Sequence, residues 1–243
     1  MIDLSVNMLV VSAHAADFVW RCGGTIAKYI KHGANVAVVI LSYGARGESN
    51  DLWKKPGQTL ENVKNIRRAE IEQAANILGV KQLEIWDFED YLISINEERV
   101  ERMVRKIREV KPQIIVTHSF RDAFNPDHEE VAKYVFKSSV LSISAGVRTE
   151  GLPHIKQTKI FGFEPHQTEI SSFTPDVIID ITETFDQKVE AMNCFKTQTH
   201  LIRYYTERAN MRGNHARRVS GISDYKYAEA FSRFFPYVGS EFV

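Results

Sequence analysis

Cysteine is scarce: Cys22 and Cys194 are the only two in 243 residues, and they form neither a disulfide framework nor a CxxC zinc spacing. Both suit a reducing compartment, and Cys22 reads as a packed thiol because a free cysteine behaves as a small hydrophobe. Net charge is absent as well, with 31 Lys and Arg against 31 Asp and Glu. That balance argues against a nucleic-acid or membrane-surface role resting on a global basic field, and it leaves a local anion site open. No apolar run approaches the roughly 18 residues a membrane helix needs. The N-terminus has no basic segment leading into a hydrophobic one, so no signal peptide is expected and the chain reads as cytoplasmic. The GxGxxG fingerprint of dinucleotide sites is missing after the first apolar run, and there are no repeats, low-complexity tracts or linkers.

What is present reads as one α/β domain over residues 1–243, with 44% apolar and 26% charged residues. Apolar, β-branched runs predict strands at Met8–Val11, Asn35–Ser42, Leu83–Phe88, Gln113–Ser119, Lys159–Glu164 and Val177–Ile181. Between and after them, helices are predicted at Gly23–His32, Thr59–Leu78, Glu97–Val110, from near Pro126, at Glu183–Lys196 and at His200–Arg212. This alternation implies right-handed crossovers and a Rossmann-like, three-layer fold, a mostly parallel sheet flanked by helices. Ligands in such sheets bind outside the carboxyl ends of the strands. The residues that follow the strands are therefore the ones to weigh.

His14 and Asp17 follow the first strand, with Gly23-Gly24-Thr25 soon after. Asn125-Pro126-Asp127-His128 follows the fourth. Together these stretches resemble the two motifs of the LmbE-like/PIG-L family of zinc-dependent de-N-acetylases, usually AHPDDE with GGT, and HPDH. The resemblance implies an LmbE-like fold and Zn²⁺ held by His14, Asp17 and His128. It also implies a family habit of forming homo-oligomers. Two positions depart from the deacetylase pattern: Ala16 stands where the general base belongs, and Asn125 replaces the first His of HPDH. A narrower likeness accommodates both. SAHAADFVWRCGG, LSYGARGES with Leu52-Trp53, and FEPHQ at Phe163–Gln167 are similar to the 4-oxalomesaconate hydratase branch of the family, and Tyr227–Phe231 (YAEAF) is similar to a further family element. That branch implies hydration of a conjugated keto or enol polycarboxylate.

Since an alanine cannot take a proton from water, another acid or base is expected on a neighbouring loop. Glu48, in the Gly-containing loop after the second strand, is one candidate; otherwise it is a solvated carboxylate or a partner of Arg46. His166, after the fifth strand, is the other, because imidazole titrates near neutrality; otherwise it packs or faces solvent. Asp127 either orients a ligating histidine or favours the helix start through the dipole. His118, ending the fourth strand, either orients a ligand or packs. A small-molecule polycarboxylate needs cationic and polar partners. Arg46, Arg67 and Asn125 are the expected contacts, with Arg68 nearby and the group Arg203, Arg208, Arg212, Arg217 and Arg218 left for a lid or subunit contact. The rivals to a hydratase are a zinc de-N-acetylase of an amino-sugar type of substrate, if Glu48 or Asp127 replaces the missing base, and a silent metal- or ligand-binding protein. Neither nucleic acid nor membrane is expected as a partner.

Overall fold

A computed structural model describes residues 4–241. Its sheet has seven strands in the order β3-β2-β1-β4-β5-β7-β6. These are β1 (Asn7–Ser12), β2 (Asn35–Ile40), β3 (Gln82–Ile85), β4 (Ile114–Thr117), β5 (Lys159–Phe163), β6 (Val177–Asp180) and β7 (Ala228–Arg233). The first five pair in parallel. β7 then inserts antiparallel to both β5 and β6. Along β1, Met8 and Val10 enter one core with Phe18, Ile26, Val38 and Ile71, whereas Leu9 and Val11 enter the other with Val39, Val104 and Val135. That period of two, apolar on both sides, is what a sheet covered on both faces requires. The three-layer α/β fold expected from the strand and helix pattern is the fold observed.

The helices are α1 (Asp17–Lys31), α2 (Asn50–Trp53), α3 (Leu60–Leu78), α4 (Glu97–Val110), α5 (Pro126–Ile143), α6 (Phe185–Met192) and α7 (His200–Ser220). On one face α1 packs with α3 and α6, and on the other α4 packs with α5. Their ends follow capping chemistry. Thr59 Oγ1 accepts the Asn62 N–H at 3.1 Å, Asn96 Oδ1 accepts the Arg99 N–H at 2.9 Å, and Gly79 ends α3 at φ 83°. No described helix is long and apolar enough to cross a membrane.

Several elements differ from expectation. The tail holds a seventh strand, AEAFSR, which has no β-branched residue to announce it. The segment Glu183–Lys196 is a shorter α6 with 3₁₀ turns at Thr182–Thr184 and Lys196–Gln198, while α7 runs on to Ser220. Most consequentially, α1 begins at Asp17, six residues before Gly23. The two glycines read as the start of a helix but lie within one, and packing explains the second of them. A Cβ on Gly24 would stand 2.5 Å from Ile181 Cδ1.

Helix α1 is also clipped from outside. A regular helix pairs the Gly24 N–H with the Trp20 carbonyl. Here Lys188 Nζ donates to the Trp20 carbonyl at 2.8 Å, while Glu229 Oε1 and Oε2 accept the Gly24 and Thr25 N–H groups at 3.0 and 2.8 Å. Lys188 and Glu229 pair at 2.6 Å with both side chains buried. Removing one partner of such a pair strands the other charge in the interior. Glu229→Ala should therefore lose roughly 3–5 kcal/mol of stability. Urea unfolding measures it, and a midpoint equal to that of the wild type would refute this account of α1.

Candidate active site

The carboxyl ends of β1, β2 and β4 are tied together before any catalytic side chain is reached. The Ala13 carbonyl accepts Ser42 Oγ at 2.9 Å, and the Ala13 N–H donates to His118 Nε2 at 2.9 Å. His14 follows, its N–H held by Asp17 Oδ2 at 2.9 Å across the start of α1. His128 lies in the first turn of α5, where Pro126 takes the first position and Asn125 Oδ1 accepts the Asp127 N–H at 3.1 Å. Glu48 closes a turn in which its N–H donates to the Gly44 carbonyl at 3.1 Å. Gly44 stands at φ 60°, and a Cβ there would lie 2.9 Å from Glu48 Oε2. Only glycine allows this carboxylate to fold back.

His14, Asp17, Glu48 and His128 converge, each offering a ligand atom within 4.8 Å of the others. His14 Nδ1 and His128 Nε2 face each other at 3.2 Å. Behind each imidazole stands a carboxylate: Asp127 Oδ2 at 3.2 Å from His14 Nε2, and Asp122 Oδ2 at 2.9 Å from His128 Nδ1. An outer nitrogen that donates to a carboxylate leaves the inner nitrogen with its lone pair. Two lone pairs so close are relieved by a proton or a metal cation between them. The acids add to that demand, with Asp17 Oδ2 at 3.5 Å from His14 Nδ1 and 3.4 Å from His128 Nε2, and Glu48 Oε1 at 3.4 Å from His14 Nδ1. Glu48 Oε2 is buried without a hydrogen-bond partner. Burial alone would keep His14 neutral, but Glu48, Asp127 and Asp17 outweigh it and raise its pKa well above the usual histidine value. A nitrogen and carboxylate donor set of this kind fits a divalent metal ion.

The other expected residues divide. Asp127 is held by the N–H groups of Tyr91, Leu92 and Ile93 at 2.8, 2.9 and 2.7 Å as well as by His14. His118 stacks on His128 with ring centroids 4.0 Å apart. Arg46 is exposed on the Glu48 loop. Arg67 is placed otherwise than expected. It is fully buried and donates to the Tyr43 carbonyl, Glu70, Thr197 and Gln198, with Nη2 3.6 Å from Glu48 Oε2. It therefore backs Glu48 rather than reaching open space. Arg208 and Arg212 also turn inward. Arg208 donates to the Pro165 and His166 carbonyls, and Arg212 pairs with Glu164, so α7 secures the loop after β5.

Two residues of the site went unread in the sequence. Buried Arg21 contacts Asp17 Oδ1 at 3.3 Å, Asp122 Oδ2 at 3.5 Å and the Glu164 carbonyl at 2.8 Å. Its i,i+4 spacing from Asp17 was the available signal. Asp122 had none, since its value lies in tertiary contacts. Burial would raise its pKa, but the hydrogen bond to His128 and the charge of Arg21 bring it down to about 2.

A family model described as GlcNAc-PI de-N-acetylase (PIG-L) matches residues 9–138. A 4-oxalmesaconate hydratase of Pseudomonas putida is 39% identical over 235 residues, which cover 96% of this chain and 90% of that protein. The crystal structure of the 4-carboxy-2-hydroxymuconate hydratase from Pseudomonas putida KT2440 superposes with a TM-score of 0.93 at 38% identity, covering 97% of this chain and 99% of that one. A diacetylchitobiose deacetylase of Thermococcus kodakarensis is 27% identical over 200 residues, covering 79% of this chain and 70% of its own length.

His166 is half-buried, stacked on Tyr204 at 4.3 Å, with Nδ1 3.5 Å from the Tyr205 hydroxyl. Burial, then the Arg21 and Arg208 guanidinium groups, push its pKa down to about 4. Between an ordinary value of about 6.5 and about 4, the unfolded chain binds a proton that the folded chain refuses. His166 thus costs stability as the pH falls through that window and costs nothing above it. Urea unfolding at pH 7 and pH 5 should show the wild type losing more stability than His166→Phe. Equal losses would contradict the shift.

Proposed function

The chain belongs to the PIG-L family, and we propose that within it this enzyme is a metal-dependent hydratase of a conjugated keto or enol polycarboxylate. The substrate in this reading is 4-oxalomesaconate or its enol tautomer 4-carboxy-2-hydroxymuconate, and the product is 4-carboxy-4-hydroxy-2-oxoadipate. The observation that carries the reading is the 39% identity to a 4-oxalmesaconate hydratase over 96% of the chain. The site is consistent with it. Ala16 is fully buried and offers no base, whereas Glu48 brings a carboxylate to the same edge. The family's de-N-acetylase pattern has a base at position 16 and an imidazole at position 125, where this chain has Ala16 and Asn125.

Zn²⁺ held by His14, Asp17 and His128 would lower the pKa of water and stabilise developing enolate charge. Glu48 then takes the proton from water as its oxygen adds to one carbon of the double bond. That proton ends on the adjacent carbon, relayed from Glu48 through His166, whose neutral imidazole accepts at one nitrogen as it gives up the proton on the other; the roles of Glu48 and His166 can be exchanged. Arg46 and Asn125 are the groups available to fix the outer carboxylates, and Arg67 acts from behind Glu48 through its opposite charge. The near-complete burial of His14, Asp17 and His128 strengthens every charge interaction among them. A cytoplasmic location, one domain over residues 1–243, a homo-oligomeric state and no nucleic-acid or membrane partner complete the proposal.

Purified metal-loaded protein should remove the ultraviolet band of 4-oxalomesaconate, because hydration ends its conjugation, and chelation should preserve the band. Glu48→Gln and His166→Ala should each lower turnover by about 10²–10⁴-fold with metal content unchanged. Near-normal turnover in both variants would overturn the assignment of these two residues, and an unchanged band with metal present would overturn the substrate.

A further inference from the structure

We propose that Asp90 is a positioning residue that sets where Glu48 stands relative to His14. The kinetic part of the argument rests on the hydratase reading; the geometric part does not.

Asp90 is buried, and its Oδ2 accepts the successive N–H groups of Arg46 and Gly47, both at 2.8 Å. Consecutive amides turned to one point form an anion-binding nest, and here the anion comes from a different loop. Among the described residues no cation pairs with Asp90, so the amides of the Glu48 turn carry the match to its charge. The next three amides of the Asp90 loop, those of Tyr91, Leu92 and Ile93, form a second nest around Asp127. Asp127 in turn meets His14 Nε2, and His14 Nδ1 lies 3.4 Å from Glu48 Oε1. The contacts therefore close a ring: Glu48 turn, Asp90, the 91–93 amides, Asp127, His14 and back to Glu48. Four segments, after β1, β2, β3 and β4, are locked in series, and Asp90 is the link that grips the backbone of the Glu48 turn.

The backbone at this link is forced. Tyr91 and Leu92 sit at φ 63° and 76°, a left-handed conformation that bulky residues rarely adopt. Their side chains are 75% and 73% exposed, so side-chain packing does not account for the strain. The convergence of three amides on Asp127, immediately after the Asp90 carboxylate that holds the Glu48 turn, does account for it.

The test compares Asp90→Ala, which removes the acceptor, with Asp90→Asn, which keeps an oxygen for the two amides. Crystal structures should show the Glu48 carboxylate of Asp90→Ala displaced by about 1 Å or more, with His14, Asp17 and His128 unmoved, and Asp90→Asn unchanged. In the metal-loaded enzyme, Asp90→Ala should lower kcat by roughly 100-fold with KM within about threefold and metal content intact, and Asp90→Asn should restore most of the activity. A Glu48 carboxylate that stays in place in Asp90→Ala would overturn the proposal. So would equal losses of metal, Tm and activity in both variants, which would make Asp90 a general stabiliser. If the wild type itself fails to hydrate 4-oxalomesaconate, the hydratase reading falls while the crystallographic comparison still decides the role of Asp90.

Discussion

Two imidazole nitrogens face each other 3.2 Å apart and need a proton or a metal cation between them, and the architecture around them keeps them there. Each ring is gripped from behind by a carboxylate, and each carboxylate is gripped in its turn: Asp127 by three backbone amides, Asp122 by Arg21 at 3.5 Å. Neither histidine can rotate away without giving up its hydrogen bond to the buried carboxylate behind it. The demand for a cation is thus a property of the scaffold.

The same logic runs outward. Arg21 can reach Asp17, Asp122 and the Glu164 carbonyl only because α1 starts immediately after the β1 loop. That start depends on Gly24 lying flush against Ile181 and on the Lys188–Glu229 pair occupying the backbone groups of Trp20, Gly24 and Thr25. Left-handed Tyr91 and Leu92 store strain of about 1–2 kcal/mol each, offset by the amides they direct to Asp127. Precision at the edge of the sheet is maintained by contacts that are mostly backbone to carboxylate.

This explains which features could be read in the chain and which could not. The alternation of β-branched runs with helical stretches exposed the parallel sheet, because burial on two faces leaves its mark on every residue of a strand. His14, Asp17 and His128 were legible as motifs, and Ala16 was legible as a missing base. Arg21, Asp122 and Asp90 were not. Their importance lies in partners up to 143 residues away, as with Arg21 and Glu164, or in amides, which every residue possesses. Arg67 looked like a free cation and is a buried one, since sequence reports charge but not the acceptors that fold around it. β7 was hidden because its inner position derives from its neighbours rather than from its own composition.

Glu229 belongs to the last strand, yet the amides it holds belong to the first helix, 205 residues earlier. On the ribosome, a nascent chain that has already made β1, α1 and both histidines still lacks the carboxylate that occupies the backbone of Gly24 and Thr25. The order of synthesis therefore separates the donor atoms from their final geometry. The Glu229 clamp on α1 forms only once the C-terminal strand lies between β5 and β6, so a chain ended before it carries both motifs without that clamp.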